Sequence, residues 1–245
     1  MASAAEVARN RAANAGIVAL ATRDLNAFWA SLDLSKPEAA RDALLRFTPV
    51  LVDQYGEVAA TVAADFYDDL RAVEPVRPGF RARMADPVPA VAVVAQTRFG
   101  AQHLFTDAPD QTLAFLSTAL SKYVLAPGRA TIVNNSLRDP AASGWHRETR
   151  SSKTYTSGCR FCRMLAGRGE VFKKATATFA AHGDCHCVAL PSWDANAPEA
   201  SVDQYVASER VEALRRRAEA GDERAQRRLD RHNALARRAA EEYGS

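Results

Sequence analysis

All four cysteines of the chain, Cys159, Cys162, Cys185 and Cys187, fall in one short stretch, with His182 and His186 beside the second pair. The pattern is C-x-x-C, a connector of about twenty residues, then H-x-x-C-H-C, which is the spacing of a site that holds a metal. A C-x-x-C turn supplies two ligands from one place, and a second pair arriving from afar closes a tetrahedron. Zn²⁺ takes thiolate and imidazole donors in that geometry. The first pair is expected at the start of a short helix that Gly167 and Gly169 stop. Cys185 and Cys187 are expected on an extended strand, where alternation aims both thiols at one face.

Three other readings compete. Two disulfides require an oxidising compartment, and no secretory leader is read at the start of the chain. A redox C-x-x-C needs a low-pKa thiol at a helix start within a βαβ pattern, and that pattern is missing from the sequence. His146-Arg147-Glu148 ahead of Cys159-x-x-Cys162 imitates the zinc deaminase signature, but the gap is too short and Gly158 stands where that signature has Pro. A closed four-ligand site leaves no open position for water, so the expected metal folds the segment and does no chemistry. Which four of Cys159, Cys162, His182, Cys185 and Cys187 hold it stays open.

Residues 4–138 read as helices. Val18, Ala21, Leu25, Phe28 and Leu32 form one apolar stripe. Ser35-Lys36-Pro37-Glu38 reads as a capped helix start with a capping box. Beyond it Ala40, Leu44, Phe47, Leu51, Tyr55, Val58, Val62, Phe66 and Leu70 continue one stripe for some nine turns, a length that predicts a helical hairpin or a strut against a partner. Pro75, Pro78, Pro87 and Pro89 then interrupt the chain. Helices follow at 90–104 and 110–125, the latter ended by Pro127-Gly128, and a short one at 129–137. His103 sits near a helix end, where a surface residue is the simpler reading than a catalytic one.

The expected fold is therefore mainly α: an N-terminal helical bundle or long helical hairpin (1–140), a small zinc-knuckle α+β module (141–192), a linker (193–202) and a C-terminal polar helix (203–245). The module opens on a strand at 145–149, and Phe161, Met164, Leu165, Val171, Phe172, Phe179, Val188 and Leu190 would form its core. So small a core needs the metal to be stable. Apolar runs are too short for a membrane span. The net charge of +3 does not predict nucleic-acid binding by itself. The tail is different: residues 210–238 carry ten arginines against five acids. Arg215, Arg216, Arg217, Arg227 and Arg228 are candidate phosphate contacts, salt-sensitive and indifferent to base sequence. The competing reading is a solvated helix with i,i+4 ion pairs, Glu212 with Arg216 and Glu223 with Arg227.

Residues 145–193 resemble the C-terminal domain of the phage head morphogenesis (Mu F-type) family of minor head proteins. The resemblance is carried by Trp145-His-Arg-Glu, by CRFCRMLAGRG over 159–169, and by His182, Cys185 and Cys187 leading to Pro191. It is nearest to the actinobacterial-phage branch; His186 departs from it, since relatives often carry Arg between the two cysteines. The resemblance implies a virion protein of few copies, assembled in host cytoplasm and bound to portal, scaffold or major capsid protein at the inner capsid surface. Such a protein would affect DNA packaging or ejection and touch packaged DNA through backbone contacts. Genes of that branch are often labelled capsid maturation proteases. His103 and His146 are then the candidate bases, though neither a G-x-S-x-G elbow nor an H-E-x-x-H is present. A third reading is a zinc-stabilised nucleic-acid-binding protein.

Overall fold

The computed structural model describes residues 2–149, 162, 165–166, 171–173, 179, 181, 183, 185, 187–199 and 209–243. They fall into two compact units, Met1–Ser201 and Val202–Ser245. The first is mainly helical: α1 (Ala4–Ala30), α2 (Pro37–Ala72), α3 (Ala90–Gly100) running into a 3₁₀ turn (Ala101–Phe105), α4 (Asp110–Val124) and α5 (Ala126–Arg138). Strand β1 (Gly144–Glu148) then pairs antiparallel with β2 (Val188–Ser192), Trp145 lying opposite Pro191.

The capping box belongs to α1, not α2. Ser3 Oγ accepts from Glu6 N at 3.3 Å while the Glu6 carboxylate accepts from Ser3 N at 2.7 Å. Before α2, Ser35 is drawn away from capping because Asp33 accepts its N–H at 3.1 Å and its hydroxyl at 2.6 Å. Lys36 becomes the cap residue and its side chain caps nothing, and Pro37 occupies the first turn, where a missing N–H costs nothing.

Helix α2 is one unbroken helix of 36 residues that packs against the preceding α1 and is also covered by α3, α4 and α5, so the long stripe belongs to a helical bundle. Its expected stripe holds as far as Tyr55, rotates over the next three turns and is met again at Leu70. Ala59, Ala60, Ala63 and Tyr67 are buried while Val58 is 44% exposed. The cause is α5, which crosses so closely that a Cβ on Gly128 would stand 2.7 Å from the Ala59 carbonyl oxygen. Small side chains must occupy that face, and the larger apolar ones turn away from it. In α1 the residues buried in this core are Ile17, Ala21, Leu25 and Trp29; Val18 and Phe28 flank them, Phe28 stacking on Phe47 with centroids 3.8 Å apart.

Pro127-Gly128 does not end α4 but opens α5, whose first turn tolerates proline. From α5, Asn135 pins the extended 80–86 segment by accepting from Arg83 N at 2.9 Å and donating to Arg83 O at 2.8 Å. Residues 193–199, read from composition as linker, are packed onto this body. Trp193 meets the Tyr67 ring edge-on at 5.5 Å and donates to Asp139 Oδ2 at 3.3 Å, Ala197 is buried, and the Pro198 carbonyl accepts from Val171 N.

The second unit holds two helices where one was expected, α6 (Glu209–Glu219) and α7 (Glu223–Tyr243). Gly221 takes φ +88°, the Asp222 N–H reaches back to the Arg217 carbonyl and that of Gly221 to Ala218, the pattern of a Schellman stop. Asp222 then caps α7 by accepting from Arg224 N and Ala225 N, each at 3.0 Å.

Candidate metal centre

β1 and β2 present the site to the helical body. Strand alternation sends Trp145 and Arg147 to one side and His146 and Glu148 to the other. Trp145, 1% exposed, stacks on Phe172 at 4.6 Å and lies 5.7 Å from Phe179. The backbones of Trp145 and Phe172 exchange both hydrogen bonds. That approach needs Gly144: its φ is +140°, and a Cβ there would stand 2.5 Å from the Phe172 carbonyl oxygen.

Cys185 and Cys187 lie in the extended residues just before β2, and Cys162 lies on a helical turn. All three are at most 5% exposed, and their sulfurs lie within 4.8 Å of one another. Phe179 and Ala181 pack around them. Cys162 Sγ and Cys185 Sγ are 3.7 Å apart, and all three thiols are free. A disulfide needs about 2.0 Å. Thiolates bound at about 2.3 Å around a tetrahedral ion stand roughly 3.8 Å apart. The donor set and its spacing therefore fit a thiophilic metal ion, and these three residues could hold one. Cys159 and His182, the candidate remaining ligands, and His186 lie outside the described residues.

Two arginines that sequence reasoning missed stand beside the thiols. Arg129, in the first turn of α5, is 7% exposed and donates through Nη2 to the Cys185 carbonyl. Its guanidinium lies 5.2 Å from the Phe179 ring centroid, and that of Arg147, itself 6% exposed, lies 3.7 Å from the same centroid. Arg129 reads as an ordinary polar residue in a helix start; only its long-range neighbours make it part of a site. Burial lowers its pKa, and the charge on Cys185 acts in the opposite direction. The Cys185 thiol is pulled far below its ordinary range, by hydrogen bonds from Cys162 and Cys187 and then by the Arg129 charge. Cys187 goes the other way: the Cys162 hydrogen bond draws it down, but its bond with Cys185 and burial outweigh that. Beside Cys187, Arg129, Asn10 and Asn14 runs a cavity of about 20 Å³, room for a water rather than a substrate.

The deaminase-like motif fails on strand parity. His146 and Glu148 face away from the thiols, and Glu148 pairs with Arg11 at 3.0 Å. His103 sits in the 3₁₀ turn, part-exposed. In the second unit Arg215, Arg216 and Arg217 lie exposed on α6, Arg227 and Arg228 on α7. Arg217 pairs with Asp222 at 2.6 Å, and Arg227 with Glu223 at 3.3 Å as the i,i+4 spacing predicts. The Glu212 side chain is outside the described residues.

Among the described residues no helix is long and apolar enough to cross a membrane. A family model described as VG15 protein matches residues 1–208, which takes in the helical half where no motif was readable as well as the cysteine segment. Its description does not name head morphogenesis or the Mu F-type family. No curated protein and no solved structure matches the chain.

Proposed function

The chain belongs to the VG15 family of viral proteins, and on that premise we propose that it is a minor structural protein of a tailed-phage head. In this reading it binds portal, scaffold or major capsid protein at the inner surface of the head and assists prohead assembly, DNA packaging or ejection. The observation that supports the reading is the burial of the cysteine cluster: the three described thiols are at most 5% exposed and lie within 4.8 Å of one another. Such a site holds structure together. The metal of this reading is zinc, with Cys162, Cys185 and Cys187 as ligands and a fourth from Cys159 or His182. Its chemistry here is to cross-link a segment whose own apolar core is small. The arginine-rich helices α6 and α7 would meet packaged DNA through Arg215, Arg216, Arg217, Arg227 and Arg228, by charge alone.

The test is to follow the protein through assembly. Mature particles should contain it in few copies, and proheads made without it should cleave their scaffold normally while packaging less DNA. Its absence from mature particles, together with scaffold cleavage that stops when the gene is removed, would instead establish the protease reading. Purified protein with His103→Ala and His146→Ala variants would then identify the base.

A further inference from the structure

Arg129 is a buried cation that meets no carboxylate among the described residues. Nε and Nη1 have no hydrogen-bond partner among the described residues. The charged groups acting on it most strongly are the thiols of Cys185, Cys187 and Cys162 and the guanidinium of Arg147. A cation so deeply buried is strongly unfavourable unless an anion faces it, and a guanidinium does not escape by losing its proton. Natural structures keep such a group where an anion faces it.

No acid side chain among the described residues supplies that anion, but a metal–thiolate cluster does. Three thiolates around a divalent ion carry one net negative charge, and a fourth thiolate would make it two. Arg129 reaches the cluster from α5 through the Cys185 carbonyl, while Arg147 reaches it from β1 across the Phe179 ring. Guanidinium is suited to both contacts, since its flat face rests on the ring and its edge donates.

We propose that Arg129, assisted by Arg147, is the counter-ion of the metal–thiolate cluster, so that metal binding and the seating of α5 against the β pair are one coupled event. The inference rests on the reading of the cysteines as a metal site. It goes beyond that reading by making a helix of the main body part of the site. Arg129 is a positioning residue and does not ligate.

The test uses the full chain, reduced, with zinc affinity measured by chelator competition and thermal unfolding followed with and without zinc. Arg129→Gln keeps a donor for the Cys185 carbonyl and removes the charge; Arg129→Lys keeps the charge and loses the fork. Outer partners of metal ligands typically contribute about 10–100-fold in affinity. Arg129→Gln should therefore bind zinc at least about tenfold more weakly, and Arg129→Lys should recover most of that loss. Without zinc, Arg129→Gln should melt no lower than the wild type, because the uncompensated charge has gone. A merely structural Arg129 would lower both melting points and leave Lys no better than Gln, which would overturn the proposal, as would wild-type affinity in Arg129→Gln. If Arg129→Gln does not fold, Arg147→Gln decides by the same two readings. Wild-type protein that takes up no zinc would sink the metal reading itself, and this inference with it; zinc-binding wild type with indifferent variants would sink only the inference.

Discussion

Replacing Asp139 by Asn should be the most damaging single polar change in the helical body. The Asp139 carboxylate is fully buried and accepts from Arg71 Nε at 2.7 Å, Arg71 Nη2 at 3.3 Å, Tyr67 Oη at 3.2 Å, Trp193 Nε1 at 3.3 Å and Ala141 N at 3.0 Å. Asn keeps the shape but removes the charge, leaving Arg71, whose side chain is 8% exposed, without an anion. Breaking a buried pair from one side costs about 3–5 kcal/mol. The other hydrogen bonds are shared with that pair, so their loss lies within this figure and does not add to it. Against a typical stability of about 5–15 kcal/mol this is a large fraction, and a drop of roughly 10 °C in Tm follows for a unit of this size. Urea unfolding monitored by circular dichroism reads it directly. The double variant Arg71→Met/Asp139→Asn should recover part of the loss, because no charge is then stranded. A loss under about 1 kcal/mol for Asp139→Asn would refute the reasoning, since that is the range of an exposed pair.

The same residue predicts a pH dependence. Burial pushes the Asp139 carboxyl up, but hydrogen bonds from Arg71, Ala141 N and Trp193 outweigh it, and the net shift is below the ordinary 3.8. A carboxylate whose folded pKa is depressed contributes stability above its unfolded value and loses it as pH falls through the folded one. The advantage of wild type over Asp139→Asn should therefore be constant near neutrality and shrink only below about pH 4.

Gly144→Ala should destabilise the protein by about 2–4 kcal/mol and weaken zinc binding, since the new methyl forces Phe172 off β1; melting curves and chelator competition check both. Removing metal with a chelator should lower Tm, and Cys162→Ser, Cys185→Ser or Cys187→Ser should each reduce the zinc bound per chain; a wild type that purifies metal-free and melts unchanged in chelator refutes the site. Replacing Arg215, Arg216 and Arg217 by Ala should weaken DNA retention and flatten its salt dependence by about 0.9 in log–log slope for each phosphate no longer neutralised. Unchanged retention would leave α6 a solvated helix.

The helical class was legible because apolar spacing is a local signal, and α1 to α5 lie in the stretches that it marks; prolines were the poorer guide, since Pro49 lies inside α2 and Pro127 opens α5. What could not be read was which neighbour each face meets. The rotation of the α2 stripe depends on Gly128, more than fifty residues away from Ala59 in sequence. The failed cap at Ser35 depends on a competing acceptor two residues earlier, a choice that motif matching does not resolve. At the site, cysteine spacing picked out Cys162, Cys185 and Cys187, which the fold brings together, since a cluster of thiols is legible from the sequence. Arg129 and Arg147 were invisible, because nothing local marks an arginine that the fold buries beside thiols from another part of the chain.

The two polar clusters together explain how a sheet of two short strands persists. A lone hairpin is marginal in water, and here the two strands are separated by about forty residues of chain. At one end, β2 runs into Trp193, whose indole is fixed by Asp139 and Tyr67 from the ends of α5 and α2. At the other end, β2 is preceded by Cys187 and Cys185, held beside Arg129 from the start of α5. The strand is thus fastened at both ends to a single helix, once by a buried carboxylate and once by a thiol cluster. That is why the composition break near residue 140 is no boundary in the packing: both sides belong to the unit Met1–Ser201. If the thiols hold the proposed ion, its removal should be felt at the α5–α2 crossing, well beyond the cysteine cluster. In a head protein this coupling would let one ion hold both the cysteine segment and the helical surface in a single shape during assembly.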